Sequence, residues 1–277
     1  MVIYVALGIL VLVLLLWFAF GVAPRSYRRT LFRQFWGPAA FGTQTVLCWG
    51  SLTDSRLTQS DPPTYRYVKR YRDGRALQLL GPTGNVAGSA EVRAVSYLIN
   101  CLRTHRTRPV TVIDDTGALG NLNRTIIALG GPLSNEITDF ILKEPNNRFI
   151  EFGQEGNVTF IRDKKSDRRF ESSHGGVRKE YGAIIRLPSL RFPGHSFFAC
   201  AGLGEWGTSG AAWFLARQWR NLQGEFSGAF AVVVEVEIGS DESARRVFPN
   251  GNRRKVKRKS KSRKAYQPAG PGEQQSS

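Results

Sequence analysis

The sequence predicts an α/β protein with a Rossmann-like or flavodoxin-like, mostly parallel sheet and flanking helices, preceded by one transmembrane helix. Three observations support this fold class. An uncharged apolar segment occupies residues 2–22. Short apolar runs then alternate with longer mixed segments, as strands alternate with helices in α/β proteins. Two of these runs also end in glycines and lead directly into segments with helical periodicity.

The segment 2–22 contains no charged residue and no proline. At about 1.5 Å per residue, a helix of this length crosses the hydrocarbon layer of a bilayer. A cleaved signal peptide is the alternative, but only Met1 precedes the apolar run, and the small-residue sequence at 21–23 is followed by Pro24. We therefore expect a transmembrane anchor at 1–23.

Basic residues after this segment predict its orientation. We interpret residues 24–43 as a juxtamembrane linker that follows the membrane surface, and this linker contains Arg25, Arg28, Arg29 and Arg33. Cationic flanks are retained on the cytoplasmic side. The expected location is the cell inner membrane, with a single pass and a cytoplasmic soluble domain. Trp36 fits either an interfacial aromatic belt or an ordinary lipid-facing aromatic.

The rest of the chain divides into an α/β domain at 44–250 and a basic tail at 251–277. The formal net charge is +17, and nine of the 39 basic residues lie between residues 253 and 264. The tail lacks the apolar content to fold alone, so we expect it to be disordered. Its basic run predicts binding of anionic lipid or of nucleic acid, or a merely solubilising role.

Cysteine and histidine usage argues against a metal centre. The three cysteines, Cys48, Cys101 and Cys200, are widely spaced and mostly lie in apolar runs, which is typical of small buried hydrophobic residues in a reducing compartment. The three histidines form no pair at ligand spacing. No metal and no cofactor is predicted.

The pattern within 44–250 predicts the individual elements. Strands are expected at 45–49, 109–113, 125–129, 183–187, 197–201 and 232–238, with a hairpin of 148–152 and 158–161. Helices are expected at 89–103, from a cap at Ser134 or Asn135 to Leu142, and at 210–222. The polar stretch from 53 to 84 is too long for a tight connection and is interpreted as a lid or flap over a site.

The most informative motif is Gly202-x-Gly204-x-x-Gly207, which follows a strand and opens a helix. Glycines allow close approach of a ligand to the backbone, and the N–H groups of the helix, with Thr208 and Ser209, form an anion site. The acidic residue of a full dinucleotide fingerprint comes too late, so a standard NAD-binding half-domain is not expected. Close helix-to-strand packing that needs small residues is the alternative.

A second glycine turn follows strand 125–129. It contains Gly130, Gly131, Ser134 and Asn135 before the next helix. Ligands in open α/β sheets bind beyond the carboxyl ends of strands at a switch point, so the two turns are expected to face one another there. The alternative for Asn135 is a plain helix cap.

Candidate acid or base groups are few. Asp114 and Glu205 lie at or near strand ends, where one of them could transfer a proton. The alternative is a solvated loop carboxylate. The sequence contains neither a G-x-S-x-G elbow nor H-E-x-x-H, which removes the common hydrolase and metalloprotease interpretations.

The order of motifs FWGP, LCWG, TIIALGGPLSN, YGAIIRL and FFACAGLGEWGTSGAA resembles an uncharacterised bacterial α/β domain that occurs with helix-turn-helix regulators or membrane segments. The resemblance covers about Phe35 to Ile238. It implies a ligand-sensing or regulatory role and assigns no catalytic residue. This chain has no helix-turn-helix segment, which argues against a transcription factor.

The leading expectation is a membrane-tethered cytoplasmic domain that binds a phosphate-bearing small molecule, a nucleotide in particular, through Gly130–Asn135 and Gly202–Ser209. One alternative is a nucleotide-cleaving hydrolase with Asp114 or Glu205 as acid or base. The other is a membrane scaffold whose basic tail binds lipid or nucleic acid.

Overall fold

The computed structural model describes residues 4, 10–11, 23–37, 45–50, 64–70, 76–82, 87–104, 110–171 and 178–253. The helices are α1 (Ala23–Trp36), α2 (Ser89–Arg103), α3 (Asp115–Leu119), α4 (Glu136–Lys143) and α5 (Glu205–Glu225). The strands up to the middle of the chain are β1 (Thr45–Trp49), β2 (Thr64–Arg70), β3 (Ala76–Pro82), β4 (Thr111–Asp114), β5 (Thr125–Leu129) and β6 (Ile150–Glu155). The remaining strands are β7 (Val158–Asp163), β8 (Arg169–Glu171), β9 (Lys179–Pro188), β10 (Ser196–Gly202), β11 (Phe226–Glu237) and β12 (Ser240–Arg253).

Seven strands form the main sheet, in the order β12-β11-β9-β10-β5-β1-β4. Strands β10, β5, β1 and β4 are parallel, whereas the pairs β10–β9, β9–β11 and β11–β12 are antiparallel. The predicted mostly parallel sheet is therefore wrong, and the sheet is mixed. The reason lies in the connections. Residues 189–195 and the turn at Gly239 are too short for the crossover that a parallel pair needs.

The centre of the parallel half explains its sequence. All five residues of β5, TIIAL, are buried, because the strand is flanked by β10 and β1 and covered on both faces. Strands covered on both sides read as continuous apolar runs instead of alternating patterns. The predicted boundaries of β1 and β5 are confirmed.

Each face of the sheet has its own hydrophobic core. On the first face, α1, α2 and α5 pack over side chains such as Leu47, Ile127 and Phe198. On the second face, α3, α4 and the three-stranded sheet β6-β7-β8 pack over the alternate residues, such as Val46 and Ile126. Successive residues of a strand point to opposite faces, which is why one short strand contributes to both cores.

Helix α1 is part of the first core, although a membrane-surface linker is predicted for 24–43. Phe32, Phe35 and Trp36 are buried, and their rings contact the Trp219 ring of α5 and the Phe198 ring of β10. These aromatic side chains recur at helical spacing, so one face of α1 is apolar. Trp36 therefore faces neither a membrane interface nor lipid.

The transmembrane helix of the predicted fold class is not supported. Among the residues that the structure describes, no helix is long and apolar enough to cross a membrane. Helix α1 has 14 residues, fewer than the roughly 20 that a span requires, and contains arginines. Most of the segment 2–22, where the anchor is predicted, lies outside the described residues.

Helix α5 begins at Glu205, five residues before the predicted start at 210. Gly207 of the predicted glycine-rich turn thus lies inside the helix, whereas Gly202 ends β10 and Gly204 is the cap residue. A Cβ atom on Gly210 would lie 2.5 Å from a methyl carbon of Val236, so the helix lies directly on the sheet. Glycines that signal a loop in the sequence serve here to bring a helix close to strands.

The hairpin predicted at 148–161 is confirmed as β6 and β7, which pair in antiparallel register. Strand β12 was not predicted, because its sequence is polar and lies at the edge of the sheet. In the excursion 53–84, β2 and β3 form an antiparallel pair, and the rest of it lies outside the described residues. Most of the basic run 253–264 also lies outside them, and β12 extends to Arg253.

The burial of α1 predicts the effect of removing one of its rings. Phe35→Ala should reduce the free energy of unfolding by about 3–5 kcal/mol, because it leaves a cavity among Trp36, Phe198 and Trp219. Arg29→Ala, on the exposed side of the same helix, should change it by less than about 0.5 kcal/mol. Urea unfolding followed by circular dichroism measures both, and equal values would show that α1 is not part of the core.

Candidate functional site

The chain leaves the neighbouring strands β5 and β10 toward opposite faces of the sheet. After β5 it enters α4 on the second face, and after β10 it enters α5 on the first. The two strands are parallel neighbours, so their carboxyl ends lie at the same edge. A crevice opens where connections diverge in this way, and it is the usual ligand position in open α/β sheets.

The two predicted glycine turns meet at this crevice. Gly130 has a φ of 116°, which favours glycine, and its N–H donates to the carbonyl oxygen of Cys200 at 3.1 Å. A Cβ atom on Gly131 would lie 3.0 Å from the carbonyl oxygen of Gly202. The turns after β5 and β10 are therefore in direct contact.

A cavity of about 370 Å³ lies between the turns. Six predicted residues line it: Gly131, Ser134, Gly202, Gly204, Glu205 and Thr208. The start of α2 contributes Gly88 and Glu91. The hairpin of β6 and β7 contributes Phe152, Gly153, Gln154 and Thr159, and the turns themselves add Pro132, Leu133 and Leu203. The volume lies in the usual range for small-molecule sites.

Gly202, Gly207 and Thr208 form a tight strand-to-helix junction. The Gly202 N–H donates to Oγ1 of the buried Thr208 at 3.0 Å. A Cβ atom on Gly207 would lie 2.3 Å from the carbonyl oxygen of Tyr181, closer than these atoms can approach. Gly207 therefore faces β9, and close packing, which the sequence left as the alternative, accounts for this glycine.

The first N–H groups of α5 donate to oxygens of the protein itself. Gly207 N–H donates to Oε2 of Glu180 at 2.9 Å, and Thr208 N–H donates to the Gly204 carbonyl oxygen at 3.2 Å. A carboxylate at a helix N-terminus offsets the positive end of the helix dipole. Glu180 thus occupies the position that the sequence suggests for a phosphate.

The start of α4 is capped in a similar way. Oδ1 of the buried Asn135 accepts a hydrogen bond from Thr138 N–H at 3.0 Å, and its Nδ2 donates to the Leu129 carbonyl oxygen at 2.9 Å. Oδ2 of Asp115 accepts from Glu136 N–H at 3.0 Å. Asn135 is therefore a helix cap that also ties α4 to the end of β5.

Ser209 belongs to a buried network next to the cavity. Its hydroxyl donates to Oδ1 of Asp241 at 2.5 Å and accepts from Nη2 of Arg93 at 3.0 Å. Nε of Arg93 forms an ion pair with the same aspartate at 2.9 Å, and its guanidinium lies 4.2 Å from the Trp206 ring centre. These contacts join α2, α5 and the start of β12, so Ser209 fixes the helices and is not among the described residues that line the cavity.

Two carboxylates lie in the cavity wall, Glu91 and Glu205. The Ser89 hydroxyl donates to Oε2 of Glu205 at 2.8 Å. Glu91 is half-buried, and its carboxyl lies beside Gly130 and Gly88. Burial raises the pKa of Glu91, and the charge of Glu205 raises it further, whereas its own backbone N–H and Arg93 act in the opposite direction. The cavity thus holds two carboxylates in unlike surroundings.

Sequence inspection missed Glu91. It lies three residues after Gly88, the observed cap of α2, where a glutamate is ordinarily interpreted as part of a capping arrangement. Only the packing of α2 beside the two glycine turns places this carboxyl in a cavity.

Asp114, the other candidate acid or base, caps α3. Its Oδ1 accepts hydrogen bonds from Gly117 N–H at 2.7 Å and from the Thr116 hydroxyl at 3.0 Å. Within the described part of the chain, Asp114 is not among the residues that line the cavity. The structure therefore places Glu205 at the cavity and Asp114 elsewhere.

The thiols of Cys48 in β1 and Cys101 in α2 are poor nucleophiles. Burial raises the pKa of the Cys48 thiol to about 12, and the hydrogen bond with the Asn135 side chain acts in the opposite direction without cancelling this shift. Burial likewise raises the pKa of the Cys101 thiol to about 12. Thiolate is the reactive form, so these cysteines are structural.

The chain matches no protein-family model and no curated protein. The resemblance to the bacterial α/β domain therefore stays a prediction.

The junction predicts opposite effects for two glycines of α5. Gly207→Ala should reduce the free energy of unfolding by about 2–3 kcal/mol, because its Cβ overlaps the Tyr181 carbonyl oxygen and the helix must shift. Gly224→Ala, with open space around the new Cβ, should leave stability unchanged or raise it by up to about 1 kcal/mol. Urea unfolding tests both, and a Gly207→Ala protein as stable as the parent would refute the tight junction.

The raised pKa of Glu91 predicts a pH dependence of stability. The folded protein binds the proton of the Glu91 carboxyl more tightly than the unfolded chain does. The contribution of this protonation to the free energy of unfolding is therefore complete below the unfolded pKa of about 4.5, and it is lost as pH rises through the folded pKa. Glu91→Gln should therefore be increasingly stabilising relative to the parent as pH rises from about 4.5 to the folded pKa of Glu91, and the difference should stay constant above it. The measurement is urea unfolding across this range.

Glu136→Gln, in the exposed first turn of α4, controls for the loss of one negative charge. A difference between Glu91→Gln and the parent that stayed constant with pH would contradict the electrostatic environment described for Glu91.

Proposed function

We propose that the protein binds a nucleoside or nucleotide in the cavity between the two glycine turns, in a sensory or regulatory role. The observation that supports this most directly is the convergence of both turns on one cavity at the carboxyl ends of β5 and β10. Such a position is typical of ligand sites in open α/β sheets.

The walls of the cavity favour the nucleoside part of the ligand. Phe152 offers a ring on which a base can stack, and Gln154 offers an amide for hydrogen bonding to a base edge. Carboxylates accept hydrogen bonds from sugar hydroxyls, and Glu91 and Glu205 supply two. The cavity volume of about 370 Å³ is large enough for a nucleoside.

The negative charge in the cavity lining disfavours a position of the nucleotide phosphate inside the cavity. The Glu205 carboxylate repels an anion, and the Gly207 N–H already donates to Glu180. The phosphate is therefore expected at the mouth of the cavity, and most of the affinity should come from base and sugar. This differs from the phosphate site at a helix N-terminus that the glycine motifs of the sequence predict.

A nucleotide-cleaving hydrolase is the second candidate. Glu205, one of the two acid or base candidates from the sequence, lines the cavity, and Glu91 lines it as well. Two carboxylates in unlike surroundings are a common basis for acid–base catalysis. The cytoplasmic location, and contact of 253–264 with anionic lipid or nucleic acid, stay predictions.

The test is binding of nucleosides, their 5′-monophosphates, ribose 5-phosphate and inorganic phosphate to the purified chain, by thermal shift and calorimetry. Nucleosides and monophosphates should bind with similar affinity, and inorganic phosphate should not stabilise the protein. Phe152→Leu should weaken nucleoside binding about tenfold, because base stacking is worth roughly 1–3 kcal/mol.

Val158→Ala, an exposed position on the same hairpin, should bind as the parent does. Stabilisation by inorganic phosphate alone, or unchanged nucleoside affinity of Phe152→Leu, would contradict the proposed orientation. No binding of any of the four ligand classes would refute the function.

A further inference from the structure

The two carboxylates of the cavity are held by helices that pack against each other. Glu91 lies in the first turn of α2, and Glu205 is the first residue of α5. The Ser89 hydroxyl, itself an acceptor from Nη1 of Arg93 at 3.3 Å, donates to Glu205 across this helix pair. Nη2 of Arg93 donates to the Ser209 hydroxyl of α5 at 3.0 Å, and Nε pairs with the buried Asp241 of β12, so α2 is fixed to α5 and to the sheet. The relative position of the carboxylates is therefore set by rigid elements and not by loops.

Their surroundings differ in the way that acid–base chemistry requires. Glu91 is half-buried, and burial with the nearby Glu205 favours its protonated form. Glu205 is exposed at the same cavity and therefore accessible to solvent, and it accepts a hydrogen bond from Ser89. One group is thus suited to donate a proton and the other to accept one.

We propose that Glu91 and Glu205 are a catalytic acid–base pair that hydrolyses the N-glycosidic bond of the nucleoside or nucleotide, an inference that rests on the proposed function.

Glu205 removes a proton from a water molecule whose oxygen attacks the anomeric carbon of the sugar. The bond between this carbon and the base nitrogen breaks, its electron pair goes to the nitrogen, and Glu91 gives its proton to the base. The products are the free sugar, or sugar phosphate, and the free base. Glu91 is left as a carboxylate and Glu205 is left protonated, and exchange with solvent restores both.

The charge of the cavity selects this bond over a phosphoester. Cleavage of a glycosidic bond passes through a transition state with positive charge on the sugar, which a nearby carboxylate such as Glu205 stabilises. A phosphoryl group beside Glu205 would be repelled by its carboxylate. The sugar, and not the phosphate, is therefore the reacting centre.

The experiment compares two kinds of substrate with the full chain: nucleosides, and p-nitrophenyl β-D-ribofuranoside, whose leaving group departs without being protonated. The parent should release free base from nucleosides. Glu91→Gln should lower kcat on nucleosides by about 100-fold or more and leave kcat on the nitrophenyl riboside close to that of the parent. Glu205→Gln should lower kcat on both substrates, because each needs an activated water.

Glu136→Gln, the same substitution in the first turn of another helix, should match the parent on both substrates. Thermal shift with each nucleoside shows whether a variant still binds. Base release that is unchanged in Glu91→Gln and Glu205→Gln would overturn the catalytic pair. Binding of nucleosides by the parent with no release of base would overturn it too and would leave the proposed binding function intact. Absence of both binding and release would refute the two together.

Discussion

The contact between the turns after β5 and β10 is the constraint on which the site depends. The hydrogen bond from Gly130 N–H to the Cys200 carbonyl oxygen joins the ends of two parallel strands at the place where the chain departs to opposite faces. Because Gly131 reaches the Gly202 backbone, the turns meet with no side chain between them. The cavity is the space that remains when α4 and α5 then diverge, so its position follows from sheet topology.

A second set of interactions fixes what faces this space. The ion pair of Arg93 and Asp241, with Ser209 and Tyr97 hydrogen-bonded to the same carboxylate, holds α2 against α5. A buried charge without a partner is costly, so this arrangement tolerates little displacement. Its consequence is that Glu91 and Glu205, each at the start of a helix, keep a fixed relative position in the cavity lining. The hairpin of β6 and β7 contributes Phe152 and Gln154 to the lining of the same cavity.

Local patterns in the sequence predicted much of the fold. The apolar runs of β1 and β5 and the cap at Asn135 are decided by neighbouring residues alone, and the structure agrees with them. The direction of β9, β11 and β12 was not predictable in this way, because a buried strand has the same apolar sequence pattern in a parallel and in an antiparallel pair. The start of α5 also differed from the prediction at Gly210, since Gly207 already lies inside the helix and allows it to pack closely on β9.

By itself the sequence determined an α/β domain with two glycine turns at strand ends, because strand and helix periodicity and turn chemistry are local properties. Only the tertiary structure decided that these turns share one cavity, that Glu180 and Asn135 already satisfy N–H groups at the helix starts, and that Glu91 joins Glu205. Burial and proximity between distant segments depend on how all elements pack, and charge and proton affinity at the site depend in turn on that packing.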